Sequence, residues 1–249
     1  MTAQEELILF PTGTTARVVQ ATAETAGEEL LGRLGLPPPT GTLVLNGSTA
    51  PVNGELKDRL RVAIEQGVAK VAVADRLTVL TGATDAGIFS LLGAAMHGRS
   101  APLVGVAPDR LVTWPGRRLT SRRRVNHNRE PLEPHHSHFV LVEGDDWGDE
   151  TKTLLVLADA LEARAPSLAV LCGGGRVARK EALGHSRAGR SLVVLAGSGR
   201  LADELAAAVE AGDAEDPLLA EIVTRGNVIV CRIGSGPAAV ASALRAALK

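Results

Sequence analysis

Glycine falls together with serine, threonine or arginine at the ends of four short apolar runs in this chain: NGST (Asn46–Thr49), TGATDAG (Thr81–Gly87), CGGGR (Cys172–Arg176) and AGSGR (Ala196–Arg200). Each reads as a strand-to-helix junction, where backbone N–H groups and a helix N-terminus face outward with no side chain in the way. That is chemistry suited to an anion. Strands of an open parallel sheet all point one way, so the four junctions are expected along one edge, where such folds bind ligands. A nucleotide- or phosphate-binding protein is the expectation.

The four turns differ in detail. In TGATDAGI, Gly82 and Gly87 permit close backbone approach, and Thr81, Thr84 and Asp85 offer hydroxyl or capping oxygens. The turn departs from the dinucleotide fingerprint G-x-G-x-x-G: residue 84 is threonine, and no acidic residue closes the next strand to hold a ribose. A ligand site and a plain helix start capped by Asp85 or Thr84 both fit it. In CGGGRVARKE the three glycines let the backbone curl its amides around an oxyanion, with Arg176 and Arg179 in the first helical turn; the alternative is a tight turn alone. AGSGRLADEL repeats the layout with Ser198 and Arg200, as a phosphate site or as an ordinary serine-capped helix.

Other chemistries find less support. His136 and His138 of HHSHF would share one strand face, but no third ligand is evident, so a hydrogen-bonded strand-entry histidine is expected rather than a metal site. There is no G-x-S-x-G elbow, and GSGP (Gly234–Pro237) reads as the start of a final helix with proline in its first turn. Cys172 and Cys231 lie near the ends of different expected strands and imply neither a disulfide framework nor a zinc site.

The elements that would hold these turns alternate. A hairpin is expected from Leu7–Phe10 and Ala16–Gln20, then a helix over Ala23–Leu34, then a first strand at Thr42–Asn46. The helix Gly54–Ala74 carries apolar residues at 56, 60, 64, 68 and 71. Strands follow at 77–81, 103–107, 138–142, 168–171, 192–195 and 228–231. Helices are expected at 86–97, 151–163, 176–188, 201–211 and 237–248. Strands this apolar are covered on both faces. The expected fold is therefore α/β: a Rossmann-like, doubly wound, mostly parallel sheet with helices on both faces and an N-terminal β-hairpin appendage. No polar linker divides the chain, so residues 1–249 are read as one domain, with 1–36 the hairpin and helix and 37–249 the main sheet.

Composition narrows the partners. The 249 residues are 45% hydrophobic and 22% charged, as expected for a chain with a substantial core. A net charge of −1 and 2% aromatic content leave neither the electrostatic footprint nor the stacking platforms of a nucleic-acid-binding protein, so no nucleic acid partner is expected. The local exception is RRLTSRRR (Arg117–Arg124), read as a solvated loop, a subunit contact or a phosphate-facing lid. No run reaches the ~18 apolar residues that span a bilayer, and MTAQEEL is not a secretory signal. No membrane partner and a cytoplasmic location are expected.

Read in order, LILFPTGTTARVV, PPPTGTLVLNGS, LTVLTGATDAGI, PLVGVAP, HHSHFVLVEG, CGGGR and VVLAGSGRLADEL resemble the N-terminal cytosolic region of TRPM channels and its prokaryotic relatives. That is the LSDAT branch of the SLOG superfamily, and more distantly the chain resembles LOG phosphoribohydrolases and DprA. The resemblance implies a sensor domain for a nucleotide-derived small molecule, with ADP-ribose and related NAD metabolites foremost, and no required cofactor. Carried over by position, it implies a binding rim of Gly47, Ser48 and Thr49; Gly82, Ala83, Thr84 and Gly87; Gly173, Gly174, Gly175 and Arg176; Gly197, Ser198, Gly199 and Arg200; with Arg117 from the stretch after the third main-sheet strand. Output would pass through self-association or a separate effector, since the final helix is expected to consume the C-terminus. The alternative is a nucleotide- or ADP-ribosyl-cleaving hydrolase of the LOG type, with Glu181, Asp85 or Glu143 as acid or base. Against it, Cys172–Lys180 lacks the threonine and glutamate of the P-G-G-x-G-T-x-x-E pattern, and Glu181 lies one residue beyond it.

Overall fold

The structure, a computed structural model, describes residues 6–51, 54–117 and 129–249. Its strands are β1 (Glu6–Leu9), β2 (Thr15–Ala21), β3 (Thr42–Gly47), β4 (Thr78–Thr81), β5 (Leu103–Pro108), β6 (Val112–Thr113), β7 (Glu130–Pro131), β8 (His138–Val142), β9 (Ser167–Cys172), β10 (Ser191–Ala196) and β11 (Val228–Arg232). Nine of them form one sheet in the order β1-β2-β8-β5-β4-β3-β9-β10-β11. Every pairing in it is parallel except β1 with β2, the hairpin. The hairpin extends the main sheet: β2 runs parallel to β8, with Val18 opposite Phe139, and β1 closes the edge.

The helices are α1 (Gly27–Leu34), α2 (Gly54–Val62), α3 (Lys70–Ala74), α4 (Gly87–Met96), α5 (Thr151–Glu162), α6 (Arg176–Arg187), α7 (Arg200–Ala211), α8 (Pro217–Arg225) and α9 (Pro237–Ala247). Residues Ala63–Ala69 join α2 to α3 as a π-helical stretch, so the single helix expected over 54–74 is continuous but locally widened, facing α9 at Gly67 and Val240. Two expectations need correcting. The first helix starts at Gly27 rather than Ala23, because Thr22 and Thr25 close a turn instead, the Thr25 hydroxyl accepting from the Thr22 N–H at 2.9 Å. Helix α8 was not expected, although Asp216 caps it through the N–H groups of Leu218 and Leu219 and proline follows at its first position.

Alternation along each strand divides the core. Leu43, Leu45, Leu168 and Val170 face α4, α9 and the helix running from 54 to 74. Val44 faces the opposite side with α1 and α5, and Ala169 and Leu171 do so with α6, α7 and α8. From β3 the chain moves outward through β4, β5 and β8, then returns to the far side of β3 as β9. The C-terminal ends of β3 and β9 therefore adjoin where the winding direction reverses, and loops leave to opposite sides, opening a crevice. Among the described residues no helix is long and apolar enough to cross a membrane.

Candidate functional site

The crevice at that reversal is a cleft of about 230 Å³ lined by Gly47, Ser48 and Thr49 after β3, Gly82, Thr84 and Phe89 after β4, Gly175, Arg176, Val177, Ala178 and Glu181 after β9, and Arg200, with Glu130, Trp147 and Glu150 closing it. Three of the four glycine-rich turns thus contribute backbone to it, and the fourth contributes Arg200.

The turns are held to one another by the backbone. Ser48 donates its N–H to the Cys172 carbonyl at 3.2 Å and accepts from Ile88 at 3.1 Å. Gly87 makes that approach possible: a Cβ there would lie 2.1 Å from the Ser48 carbonyl oxygen, and its φ is +54°. Gly173 donates its N–H to the Ser198 hydroxyl at 2.8 Å, locking the third turn onto the fourth.

The two turns after β9 and β10 end up chemically different. Gly197 and Gly199 both give their N–H groups to the Asp203 carboxylate, at 2.6 and 3.1 Å, so the amides of the turn ahead of α7 are taken by a side chain of that helix. At α6 the N-cap residue is Gly175, no side chain among the described residues takes the first-turn N–H groups, and the first intrahelical bond runs from the Arg179 N–H to the Gly175 carbonyl. The N–H groups of Arg176, Val177 and Ala178 therefore have no intrahelical partner, and all three residues line the cleft. Two guanidiniums flank this helix end. Arg176 donates to the Trp147 carbonyl at 3.0 Å, and Arg200 donates to the Ser48 hydroxyl at 3.2 Å. Arg200 sits at φ +56°, a left-handed conformation that costs a non-glycine residue on the order of 1 kcal/mol and that carries it across to Ser48.

Of the expected rim, Gly47, Ser48, Thr49, Gly82, Thr84, Gly175, Arg176 and Arg200 line the cleft. The rest do not. Ala83 is fully buried against Gly105, and Gly174 packs on Ala178 and Leu201. Gly87, Gly173, Gly197, Ser198 and Gly199 brace the turns from behind through the contacts above. Arg117 is held elsewhere: it lies 4.1 Å over the Trp114 ring and donates to the carbonyls of Asp109 and Val112 and to the Asp109 carboxylate. The remainder of the basic run, residues 118–124, lies outside the described residues.

Of the three carboxylates considered as acid or base, Asp85 binds the Ser90 hydroxyl and Glu143 is exposed beside Arg110, leaving Glu181 in the cleft. Burial, reinforced by the nearby Glu150 charge, pushes Glu181 up to about 8. Burial also raises Glu150, against hydrogen bonds from its own N–H and that of Gly148. Glu150, Trp147, Phe89 and Glu130 were not expected in the site. Glu150 ends an irregular turn, so no periodicity marks it, and only packing of α5 on α6 places it opposite Glu181.

Behind the TGAT turn lies a buried polar chain. The Thr81 hydroxyl meets His136 Nε2 at 2.7 Å, His136 Nδ1 meets Glu133 at 2.8 Å, and the other Glu133 oxygen meets His135 Nδ1 at 2.6 Å. Burial favours the protonated Glu133, but the hydrogen bonds from His136 and His135 outweigh it and hold the carboxyl below its ordinary value. Glu133 also donates its backbone N–H to the Ala83 carbonyl, fixing the turn. His136 is thus the hydrogen-bonded histidine expected from sequence. Among the described residues no group of three or more His, Cys, Asp or Glu is arranged to hold a metal. Glu133→Gln should lower stability by about 2 kcal/mol, since it replaces an acceptor that serves two imidazoles; an unchanged urea midpoint would show that the chain does not support the turn.

No curated protein matches the chain. The family model described as SLOG in TRPM, prokaryote, matches residues 40–242, from just before β3 to within α9, and so spans all four glycine-rich turns and the cleft they form. The chain belongs to this prokaryotic family of the SLOG domains found in TRPM proteins.

Proposed function

We propose that this chain is a ligand-sensing domain that holds a nucleotide-derived anion, ADP-ribose or a related NAD metabolite, in the cleft between β3 and β9. The observation that carries the reading is the N-terminus of α6, whose first-turn N–H groups have no partner among the described residues, with Arg176 and Arg200 beside it. Such an end carries roughly half a positive charge, and the two guanidiniums add charge-assisted donors suited to a phosphate. Membership in the SLOG family supports the nucleotide class.

The test is thermal shift against ADP-ribose, cyclic ADP-ribose, NAD, AMP and ATP, with chromatography of each mixture afterwards. Stabilisation by a ligand that stays intact supports the sensor, because binding to the native state raises its stability. Absence of any shift overturns it. Arg200→Ala should weaken the stabilising ligand at least tenfold in titration calorimetry, about the value of one charge-assisted hydrogen bond; undiminished affinity would place the phosphate elsewhere.

A second reading has one observation in its favour. Glu181, pushed up to about 8, carries a proton at neutral pH inside the cleft, as a general acid for glycosidic cleavage needs. Consumption of a ligand in the same mixtures would establish it.

A further inference from the structure

Strand β1 closes one edge of the sheet, and among the described residues no strand pairs its outer side. The large apolar side chains that stand exposed among the described residues, Leu7 at 62% and Leu9 at 68%, are both on it. They share the face that carries their register partners on β2, Arg17 and Thr15, whereas Ile8 turns to the other face and is buried with Phe10, Ala16 and Val18. Helix α1 packs Leu30, Leu31 and Leu34 against Val19 and Ala21 of β2, and neither leucine of β1 joins that cluster.

The main chain is open at the same two residues. Phe10 donates its N–H to the Thr14 carbonyl at 2.9 Å, continuing the register of β1 and β2 as a hydrogen-bonded pair. Such pairs alternate along an antiparallel ladder, so Ile8 and Glu6 also direct their N–H and C=O groups at β2, and Leu7 and Leu9 direct theirs outward. Folded chains blunt an edge of this kind with a lysine, a bulge or a covering helix. The segment ELIL has no lysine, its register with β2 runs without a bulge, and its one charge, Glu6, stands at its beginning. The opposite edge is better covered, since Ile229 of β11 packs on one face and Val228 and Val230 on the other.

We infer that β1 is an interface with a second copy of this chain, the two β1 strands pairing antiparallel about a two-fold axis at Ile8. Outward-facing backbone groups must meet outward-facing groups, and this register sets Leu7 of each copy opposite Leu9 of the other, each pair exchanging both of its N–H to carbonyl bonds. It also lays all four leucines side by side on one face, as apolar cross-strand pairs. Glu6 then lies opposite Phe10 of the other copy, not opposite its own counterpart, so no like charges meet. An unrelated strand would satisfy the backbone groups, but a second copy also supplies exposed leucines at the two positions where the first leaves leucines uncovered. The joined sheet has eighteen strands, nine from each copy. Because the axis reverses strand direction, the two clefts open at opposite edges and each is complete within one chain. The interface therefore stands or falls independently of what the cleft binds.

Light scattering of the whole chain after size-exclusion chromatography is expected to show a dimer, twice the 25.8 kDa of one copy. Its share should fall on dilution over about a hundredfold range of concentration, as mass action requires. Leu7→Lys and Leu9→Lys together alter only exposed side chains, so this double variant should keep the circular dichroism spectrum of the parent and run as a monomer at every concentration. Should it fail to fold, Leu9→Lys alone carries the test. The register is checked by disulfide formation. A Leu7→Cys chain mixed with a Leu9→Cys chain should cross-link on mild oxidation, and neither chain should do so alone, since two copies of one position lie on a diagonal too long for a disulfide. A monomer from the unaltered chain overturns the inference. So does a dimer that persists in the folded lysine variant, and so does a mixture that cross-links no faster than either cysteine chain by itself.

Discussion

Glu181→Gln is expected to stabilise the protein progressively as pH rises from 5 to 8. The folded carboxyl titrates near 8 because of burial first and the Glu150 charge second, whereas in the unfolded chain it titrates near its ordinary 4.5. Between those values the native state holds a proton that the unfolded state has released, so raising the pH favours unfolding. Stability attached to this residue is complete below about pH 4.5 and is lost on the way to 8. At pH 7 the gap amounts to roughly 3 kcal/mol, at about 1.4 kcal/mol per unit. Glutamine has the shape of the neutral acid and removes that slope. Glu150 is raised in the same sense, so part of the pH dependence should remain in the variant. The measurement is urea unfolding of both proteins at pH 5, 6, 7 and 8. Curves that stay parallel across the range would mean that Glu181 is solvated and ionised in the native state, and the closed floor of the cleft would not survive that result.

Gly47→Val should be severely damaging to the site. A Cβ at Gly47 would lie 2.2 Å from the Cys172 carbonyl oxygen and 2.3 Å from Ile88 Cδ1, and neither contact is with the end of a flexible surface chain. Cys172 is its register partner in β9, and Ile88 is in the first turn of α4. Relief would have to come from spreading β3 from β9 at the point where the sheet reverses its winding, or from lifting α4. Overpacking of this kind costs about 3 kcal/mol or more when backbone is involved. Because Ser48 follows directly and binds both Cys172 and Ile88 through its main chain, the cleft should open with the strands. Loss of ligand-induced stabilisation together with a fall in melting temperature is the expected pair of results. A variant that melts like the parent would show that β3 and β9 have slack there.

Much of the fold was legible because its signals are local. The apolar runs at Leu43–Leu45, Val140–Val142 and Val193–Leu195 are buried on both faces and could only be central strands. The glycine-rich turns marked the ends of β3, β4, β9 and β10, and order along the chain sufficed to expect them at one edge. Helix α8 escaped although its cap was visible, since the Asp-Pro signal introduces only nine residues whose buried face is Leu219 and Ile222. The π-helical stretch was hidden for another reason: it packs at Gly67 against Val240 of α9, far away in sequence.

The site divides in the same way. Sequence by itself determined that Gly47–Thr49, Gly82–Thr84 and Gly173–Arg176 would stand at strand ends, because a turn of small residues after a buried strand has few conformations open to it. Only the tertiary structure decided which amides stay available. AGSGR and CGGGR look alike as strings, yet Asp203 takes the Gly197 and Gly199 amides of the first, whereas among the described residues no side chain takes the amides of Arg176, Val177 and Ala178 that follow the second. It also decided that Arg117 would be held on Trp114 and Asp109 while Arg200 reaches the cleft, and that Glu150 and Glu181 would both be buried at it. Those outcomes depend on where α5, α6 and α7 pack around the sheet, and a side chain's charge state and free hydrogen bonds follow from its neighbours in space rather than from those along the chain.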